Sequence, residues 1–202
     1  MDWQALITSQ PALVCVTQPL RALAELQEIE AREILVRIAD PVRNVFSLIS
    51  GEVRLIRRDR NGSEVILQRA RGDFFAEASL WGKTYHCDVI AAEKSVVLRF
   101  PAKAFRSALD DDAAFRDVWM THLAREVRKL RTQCERLSRH SAADRILHYI
   151  ESEGADGAII LNQSRKAWAC ELGITHEALY RTLSKLQADG TLNIDGDLIS
   201  IG

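Results

Sequence analysis

The sequence predicts an α+β protein: a strand-rich N-terminal segment, a long amphipathic helix, and a C-terminal segment of short helices and strands. Three observations carry this reading. Gly51, Gly62, Gly72 and Gly82 punctuate the first half at intervals of ten or eleven residues, a spacing that suits short strands joined by turns. From about Lys103 breakers become rare, and apolar residues recur at alternating steps of three and four, the period of a helix. Beyond Ser141, two short helical stretches meet at Gly173 and are followed by two short apolar runs around Asp195-Gly196-Asp197.

Residues 3–30 read as mostly helical. Ile34-Leu35-Val36-Arg37-Ile38, Val45-Phe46-Ser47-Leu48-Ile49 and Ser95-Val96-Val97-Leu98-Arg99-Phe100 are rich in β-formers. Residues 52–57 and 63–67 flank Asp59-Arg60-Asn61-Gly62, where Asn-Gly supplies the positive φ of a tight hairpin. Together these strands predict an antiparallel roll or sandwich. Met120, Leu123, Val127, Leu130, Cys134 and Leu137 then form an apolar heptad stripe flanked by charged residues such as Arg125, Lys129 and Glu135. One helix cannot bury such a stripe alone, and a narrow seam with charged flanks is the geometry of a two-helix coiled coil, which predicts a twofold-symmetric homodimer. The plainer alternative packs the stripe on the chain's own strands.

After the seam, a helix runs from Ala142 to about Glu153 and Ala158–Leu161 reads as a short strand. Ser164 is placed to cap a helix through Leu172, Gly173 breaks it, and Thr175 caps a second helix from His176 to about Ala188. Ala169, Ile174, Leu179 and Leu183 face inward, Cys170 is expected in the core, and Leu192–Ile201 form a two-stranded wing. A helix pair of this kind is a helix-turn-helix, whose second helix enters the DNA major groove. A mere helical hairpin is the alternative, and the helix before it and the wing after it weigh against that. The candidate DNA contacts are His176, Glu177, Tyr180, Arg181, Ser184 and Lys185, with Arg165 and Lys166 on the first helix. Arg181 can donate two bonds to a guanine edge and Glu177 can accept from cytosine, contacts worth about 1–3 kcal/mol each.

Charge limits how such binding works. The 202 residues carry 27 Lys and Arg against 28 Asp and Glu, a net charge of −1, with 47% apolar residues. That composition is globular, with one or two cores, and excludes disorder and a polybasic coat. From Ser141 onward five basic residues face nine acidic ones, a formal −4; salt-sensitive binding of modest non-specific affinity follows. No signal peptide and no apolar run of about 18 residues is present, which predicts a cytoplasmic protein with no membrane partner. Cys15, Cys87, Cys134 and Cys170 lie 72, 47 and 36 positions apart, without a paired C-x-x-C spacing, and read as free thiols.

The run Gly51-Glu52-Val53, Asn61-Gly62-Ser63-Glu64-Val65-Ile66-Leu67 and Gly72-Asp73-Phe74-Phe75-Ala76-Glu77-Ala78-Ser79-Leu80, followed by seam helix and winged helix-turn-helix, resembles the cyclic-AMP receptor protein and fumarate–nitrate reduction regulator family. The resemblance covers about residues 30–202. It implies a cyclic-nucleotide-binding-type β-roll sensor with a helical arm (1–110), a dimerisation helix (111–140) and a winged helix-turn-helix (141–202). It also implies a homodimeric transcription regulator bound to a palindromic promoter site on double-stranded DNA, with RNA polymerase as a further partner. Glu177 and Arg181 match the family's recognition-helix pattern, whereas His176 stands where an Arg is frequent.

The sensor departs from the family. Cyclic-AMP binders follow a Gly-Glu pair with Arg-Ser or Arg-Thr, the arginine neutralising the cyclic phosphate. Here Glu77 follows Ala76, and Thr84-Tyr85-His86-Cys87-Asp88 occupies the arginine's place. The adenine-contacting Thr-Ser pair gives way to Leu130 and Arg131, so cyclic AMP is excluded as effector. The remaining candidate pocket is Glu77, Tyr85, His86, Cys87, Leu130, Arg131 and Cys134. Thiolates with an imidazole suit Cu(I) or another thiophilic metal, and a heme-dependent branch of the family ligates iron through Cys and His on this segment. The candidate ligands are Cys87, Cys134, His86 and Cys15. A seam cysteine is equally a small hydrophobe, and a lone His equally bonds a backbone group. An effector-independent regulator controlled by abundance is the second reading. No nucleophile elbow, paired-carboxylate spacing or H-E-x-x-H motif supports an enzyme.

Overall fold

The computed structural model describes residues 1–58, 60 and 64–202. The chain divides into two compact units, Met1–His122 and Leu123–Gly202. Among the described residues no helix is long and apolar enough to cross a membrane.

The first unit opens with α1 (Trp3–Ser9), a 3₁₀ turn over Pro11–Cys15 and α2 (Gln18–Ala22). Asp2 caps α1 by accepting from the Gln4 and Ala5 amides. The helical expectation for residues 3–30 fails at its end, where Glu25–Ile29 is a strand, β1, pairing antiparallel with β8 (Ser95–Pro101). Three polar residues in five hide the strand, and pairing with β8 overrides local propensity. The expected strands at 34–38, 45–49 and 95–100 are present as β2 (Ile34–Val36), β3 (Asn44–Ser50) and β8. β4 (Val53–Arg58) and β5 (Glu64–Ala70) form the expected antiparallel pair. The turn residues Asp59, Asn61, Gly62 and Ser63 lie outside the described residues.

Two further strands escape sequence patterning: β6 (Phe74–Phe75) and β7 (Asp88–Ala91). They complete two four-stranded sheets, ordered β1-β8-β3-β6 and β2-β7-β4-β5. Ile29, Phe46, Leu48 and Phe75 from the first sheet and Val53, Leu55 and Val89 from the second share one core. Phe46 stacks on Phe75 with centroids 5.4 Å apart.

A second apolar layer sits behind the first sheet. Asp112 interrupts the long helical pattern, separating α3 (Ala102–Asp111) from α4 (Ala113–Ser138). Its backbone is extended and its carboxylate accepts from the Phe115 amide at 2.8 Å, an N-cap for the second helix. Phe74, Phe105, Phe115 and Trp119 pack edge to face, the closest pair being Phe105–Trp119 at 4.7 Å, and Phe100 meets Phe105 edge to face and Phe74 at a tilt. The first turns of α4 therefore turn Phe115, Trp119 and His122 inward and leave Met120 exposed.

The second unit holds the rest of α4, then α5 (Ala142–Glu153), β9 (Ala158–Ile160), α6 (Arg165–Glu171), α7 (His176–Ala188), β10 (Leu192–Asp195) and β11 (Leu198–Ile201). The expected two-stranded wing has a third strand, since β9 pairs antiparallel with β11. Ile146, Ile150, Trp168, Leu172, Leu179 and Ile199 make the core beneath these elements.

Candidate nucleic-acid interface

The sequence dictates the helix pair at its caps. The Ser164 hydroxyl accepts from the Ala167 amide at 3.2 Å, and the Thr175 hydroxyl accepts from Ala178 at 3.1 Å. Gly173 between the helices takes φ +65°, where a Cβ would lie 2.8 Å from the Leu137 side chain. Helix α7 buries Leu179, Leu183 and Leu186. Its opposite face leaves His176, Glu177, Tyr180, Arg181, Ser184 and Lys185 exposed, so the whole predicted reading set lies on one accessible helix face. The Glu177 carboxyl is held below its usual range by its own backbone N–H and the Thr175 hydroxyl, and at neutral pH it is a pure acceptor. His176 meets Tyr180 edge to face at 4.6 Å.

Two predicted residues on α6 divide in role. Lys166 is exposed. Arg165 stacks over Trp168 at 5.6 Å and donates to the Gly196 carbonyl at 2.9 Å, tying the helix to the tip of the wing. Cys170 corrects the sequence reading: it is exposed, because α6 turns Trp168 and Ala169 to the core and carries Cys170 round to solvent. Arg145, which sequence reasoning did not single out, donates to the carbonyls of Leu172 at 3.2 Å and Gly173 at 3.0 Å and satisfies the end of α6.

The seam residues stand out from the folded chain. Met120 is 59% exposed, Val127 46%, Leu130 52% and Leu137 41%; Cys134 and Arg131 are exposed and Leu123 is half-buried. Among the described residues, none covers these four large apolar side chains. Arg136 goes the other way and is 1% exposed. It donates to the Ser152 hydroxyl at 3.0 Å, pairs with Glu153, and lies 4.5 Å over the Tyr149 ring. Tyr149 in turn accepts from Gln163 at 3.2 Å. The only sequence signal for this residue is a charge breaking the polar face next to Leu137, too weak to single it out.

The expected sensor segment is mostly occupied with holding the β-roll together. Tyr85 is buried, donates to the Asn44 carbonyl at 2.7 Å and accepts from the Asn44 amide at 3.1 Å. Cys87 is buried in the shared core; burial first, with the nearby charges of Asp88 and Glu77, pushes its thiol up to about 11 against the pull of Arg57. His86 shares a 2.7 Å hydrogen bond with the Ser79 hydroxyl, and burial followed by the Arg57 charge lowers its pKa. Glu77 is buried at the end of a left-handed step at Ala76, φ +59°, a conformation glycine adopts freely and alanine at a cost of about 1–2 kcal/mol. Asp88 accepts from the Ile38 amide at 2.7 Å and from Arg58 at 2.9 Å. Arg57 and Arg58, on a neighbouring strand, bring to this segment the guanidinium groups that its own sequence lacks. They are committed to the His86 carbonyl at 2.9 Å and to Asp88.

The candidate metal ligands are scattered. Cys15 is half-buried and donates to the Ala12 carbonyl at 3.0 Å, and burial raises its thiol. The donor atoms of Cys15, His86 and Cys87 do not gather within 4.8 Å of one another. Leu130, Arg131 and Cys134 belong to the second unit.

Comparison with known proteins fits this architecture. Residues 26–112 match the cyclic nucleotide-binding domain. No curated protein matches the sequence significantly. The fold is similar to that of FixK2 from Bradyrhizobium japonicum, at 23% identity over 88% of this chain and 92% of that one, with a TM-score of 0.69. A CooA mutant from Carboxydothermus hydrogenoformans matches at 18% identity over 100% and 91%, TM-score 0.73. A CRP-family transcriptional regulator from Thermus thermophilus matches at 20% identity over 87% and 91%, TM-score 0.61. Residues 26–112 are thus similar to the cyclic nucleotide-binding domain, within a chain whose fold is like that of a CRP-family transcriptional regulator.

Proposed function

We propose that this chain is a homodimeric, sequence-specific DNA-binding transcription regulator. The observation that carries the reading is the exposed face of α7, where six polar side chains project from a helix whose other face is locked into its domain. The uncovered seam of α4 supports dimerisation, since four large apolar side chains between 41% and 59% exposed gain most by burial against a second copy. Double-stranded DNA with a palindromic promoter site is the partner such a dimer fits, and RNA polymerase the next. The fold is similar to that of transcription regulators.

On this proposal the β-roll answers to an effector other than cyclic AMP, of a metal, heme or redox kind acting at cysteine. Cys134 is the cysteine best placed, because it is exposed on the seam and two copies would bring two thiols to the dimer axis. Cys87, with its thiol pushed up to about 11, is protonated at neutral pH and is the weaker ligand. A second reading is favoured by the packing around Tyr85 and Cys87, which fills the segment with core side chains: the protein then needs no effector and is controlled by abundance.

Elemental analysis and an absorption spectrum of anaerobically purified protein, together with binding to duplex DNA, separate these readings. Stoichiometric Cu(I) or a heme band lost in Cys134→Ala supports the sensor. A colourless, metal-free dimer that binds DNA tightly supports the constitutive regulator. Failure to bind any duplex above the non-specific level refutes the proposal as a whole.

A further inference from the structure

The last turns of α4 are tied to the helix pair at three points, all inside the second unit. Arg136 reaches from α4 to the end of α5, donating to the Ser152 hydroxyl at 3.0 Å and pairing with Glu153. Its guanidinium lies 4.5 Å over the Tyr149 ring. The Tyr149 hydroxyl accepts from Gln163, which also donates to Glu171, the last residue of α6, at 2.7 Å. Leu137 is the second tie: a Cβ on Gly173 would meet its side chain at 2.8 Å, so the last seam residue rests on the turn between α6 and α7. Arg145 is the third. Its Nε donates to the Arg139 carbonyl, just beyond α4, at 3.0 Å, and its Nη1 to the Leu172 and Gly173 carbonyls at 3.2 and 3.0 Å. One planar guanidinium thereby spans the turn after α4 and the turn after α6.

Arg136 is not the side chain that stability alone selects. It is 1% exposed, and among the described residues its carboxylate partner is Glu153 and its Nε has no hydrogen-bond partner. A buried ion pair replaced by an apolar side chain of similar volume is often as stable or more so. What the guanidinium adds is direction, because two polar contacts and a ring hold α4 at one angle to α5.

We infer that Arg136 and Arg145 are positioning residues that set the half-site spacing the dimer reads. The inference rests on the regulator reading above and adds a specificity that the face of α7 does not itself carry. Leu137 belongs both to the seam and to the contact with Gly173, so the end of α4 is held to the twofold axis on one side and to the helix pair on the other. The two reading helices then stand at one separation and one angle. Moving the half-sites apart by a single base pair shifts one by about 3.4 Å and turns it by about 35° around the duplex, more than a body tied at three points can follow.

The probes are duplexes carrying the inverted repeat that the wild-type dimer selects from a random pool, with one or two base pairs added or removed between the half-sites, and binding is read by fluorescence anisotropy. Wild type is expected to lose affinity at least about tenfold for each base pair of displacement. In Arg136→Met and Arg145→Met, both folded by circular dichroism, that loss shrinks to about threefold or less, while affinity for a duplex with one half-site stays within about twofold of wild type. Arg139→Ala, whose side chain pairs with Glu135 at the surface, keeps the wild-type profile. Variants that retain the spacing preference, or that lose single-half-site binding as much as binding to the repeat, overturn the inference and leave the regulator reading standing. A wild-type protein that selects no duplex overturns that reading and the inference with it.

Discussion

Replacing Leu130 by Asp places a carboxylate in the middle of the α4 seam. Leu130 is 52% exposed in the single chain, so the substitution leaves the monomer's core intact and changes its stability by about 0.5 kcal/mol or less. The dimer feels it twice. Fully burying a leucine side chain is worth about 1.5–3 kcal/mol; roughly half of that remains to be gained at Leu130, so two copies forfeit about 1.5–3 kcal/mol. Each carboxylate forced into the seam without a partner costs a further 1–3 kcal/mol or so, and the two repel. The sum, about 3.5–9 kcal/mol, raises the dimer dissociation constant by roughly three to six powers of ten. Sedimentation equilibrium across a concentration series reads this directly, with Arg128→Asp, an exposed position beside the seam, as the control that stays dimeric. A Leu130→Asp protein as tightly dimeric as wild type would show that the stripe is not the interface.

Three further outcomes follow from the same geometry. Arg181→Ala should cost about 1–3 kcal/mol at the preferred DNA site and little elsewhere, whereas Arg165→Ala, which frees the wing tip, should weaken binding evenly on all sequences. Competition binding on matched and scrambled duplexes separates the two, and an even loss for Arg181→Ala removes it from the readers. Iodoacetamide at pH 8 should label Cys170 readily and spare Cys87, the one exposed and the other buried with a raised thiol; Cys134 should label in monomeric Leu130→Asp and be protected in the dimer, as peptide mass mapping will show. Burial alone would raise the Glu52 carboxyl, but hydrogen bonds from Arg71 and Arg54 and the charge of Arg69 hold it below the usual range. A lowered carboxylate contributes stability above its unfolded value of about 4.5 that is lost as pH falls through the folded value. The stability gap between wild type and Glu52→Gln should therefore be widest near neutrality and narrow as pH falls below about 4.5; a gap that is constant with pH contradicts the arginine cage.

The legible parts of the fold were those written in local chemistry. Ser164, Gly173 and Thr175 mark the helix pair because a hydroxyl cap and a left-handed step are requirements of a few adjacent residues. The seam is legible because its period needs no knowledge of what it touches. Glu25–Ile29 was not, since an edge strand with three polar residues owes its conformation to β8. Cys170 was misplaced because one step along a helix carries a side chain about 100° around the axis, and the neighbouring Ala169 took the core position. Arg57, Arg58 and Arg136 acquire their roles from partners 16–30 residues away, and spacing along the chain carries no trace of such pairings.

Selection of duplexes from a random-sequence pool by the purified dimer tests the central claim most directly, because it asks at once whether α7 reads bases and whether two copies read together. The account predicts enrichment of an inverted repeat whose half-site centres lie one helical turn apart, about 34 Å, and loss of that enrichment in Arg181→Ala. A pool that stays random, or a single unrepeated motif bound by one chain, would contradict it.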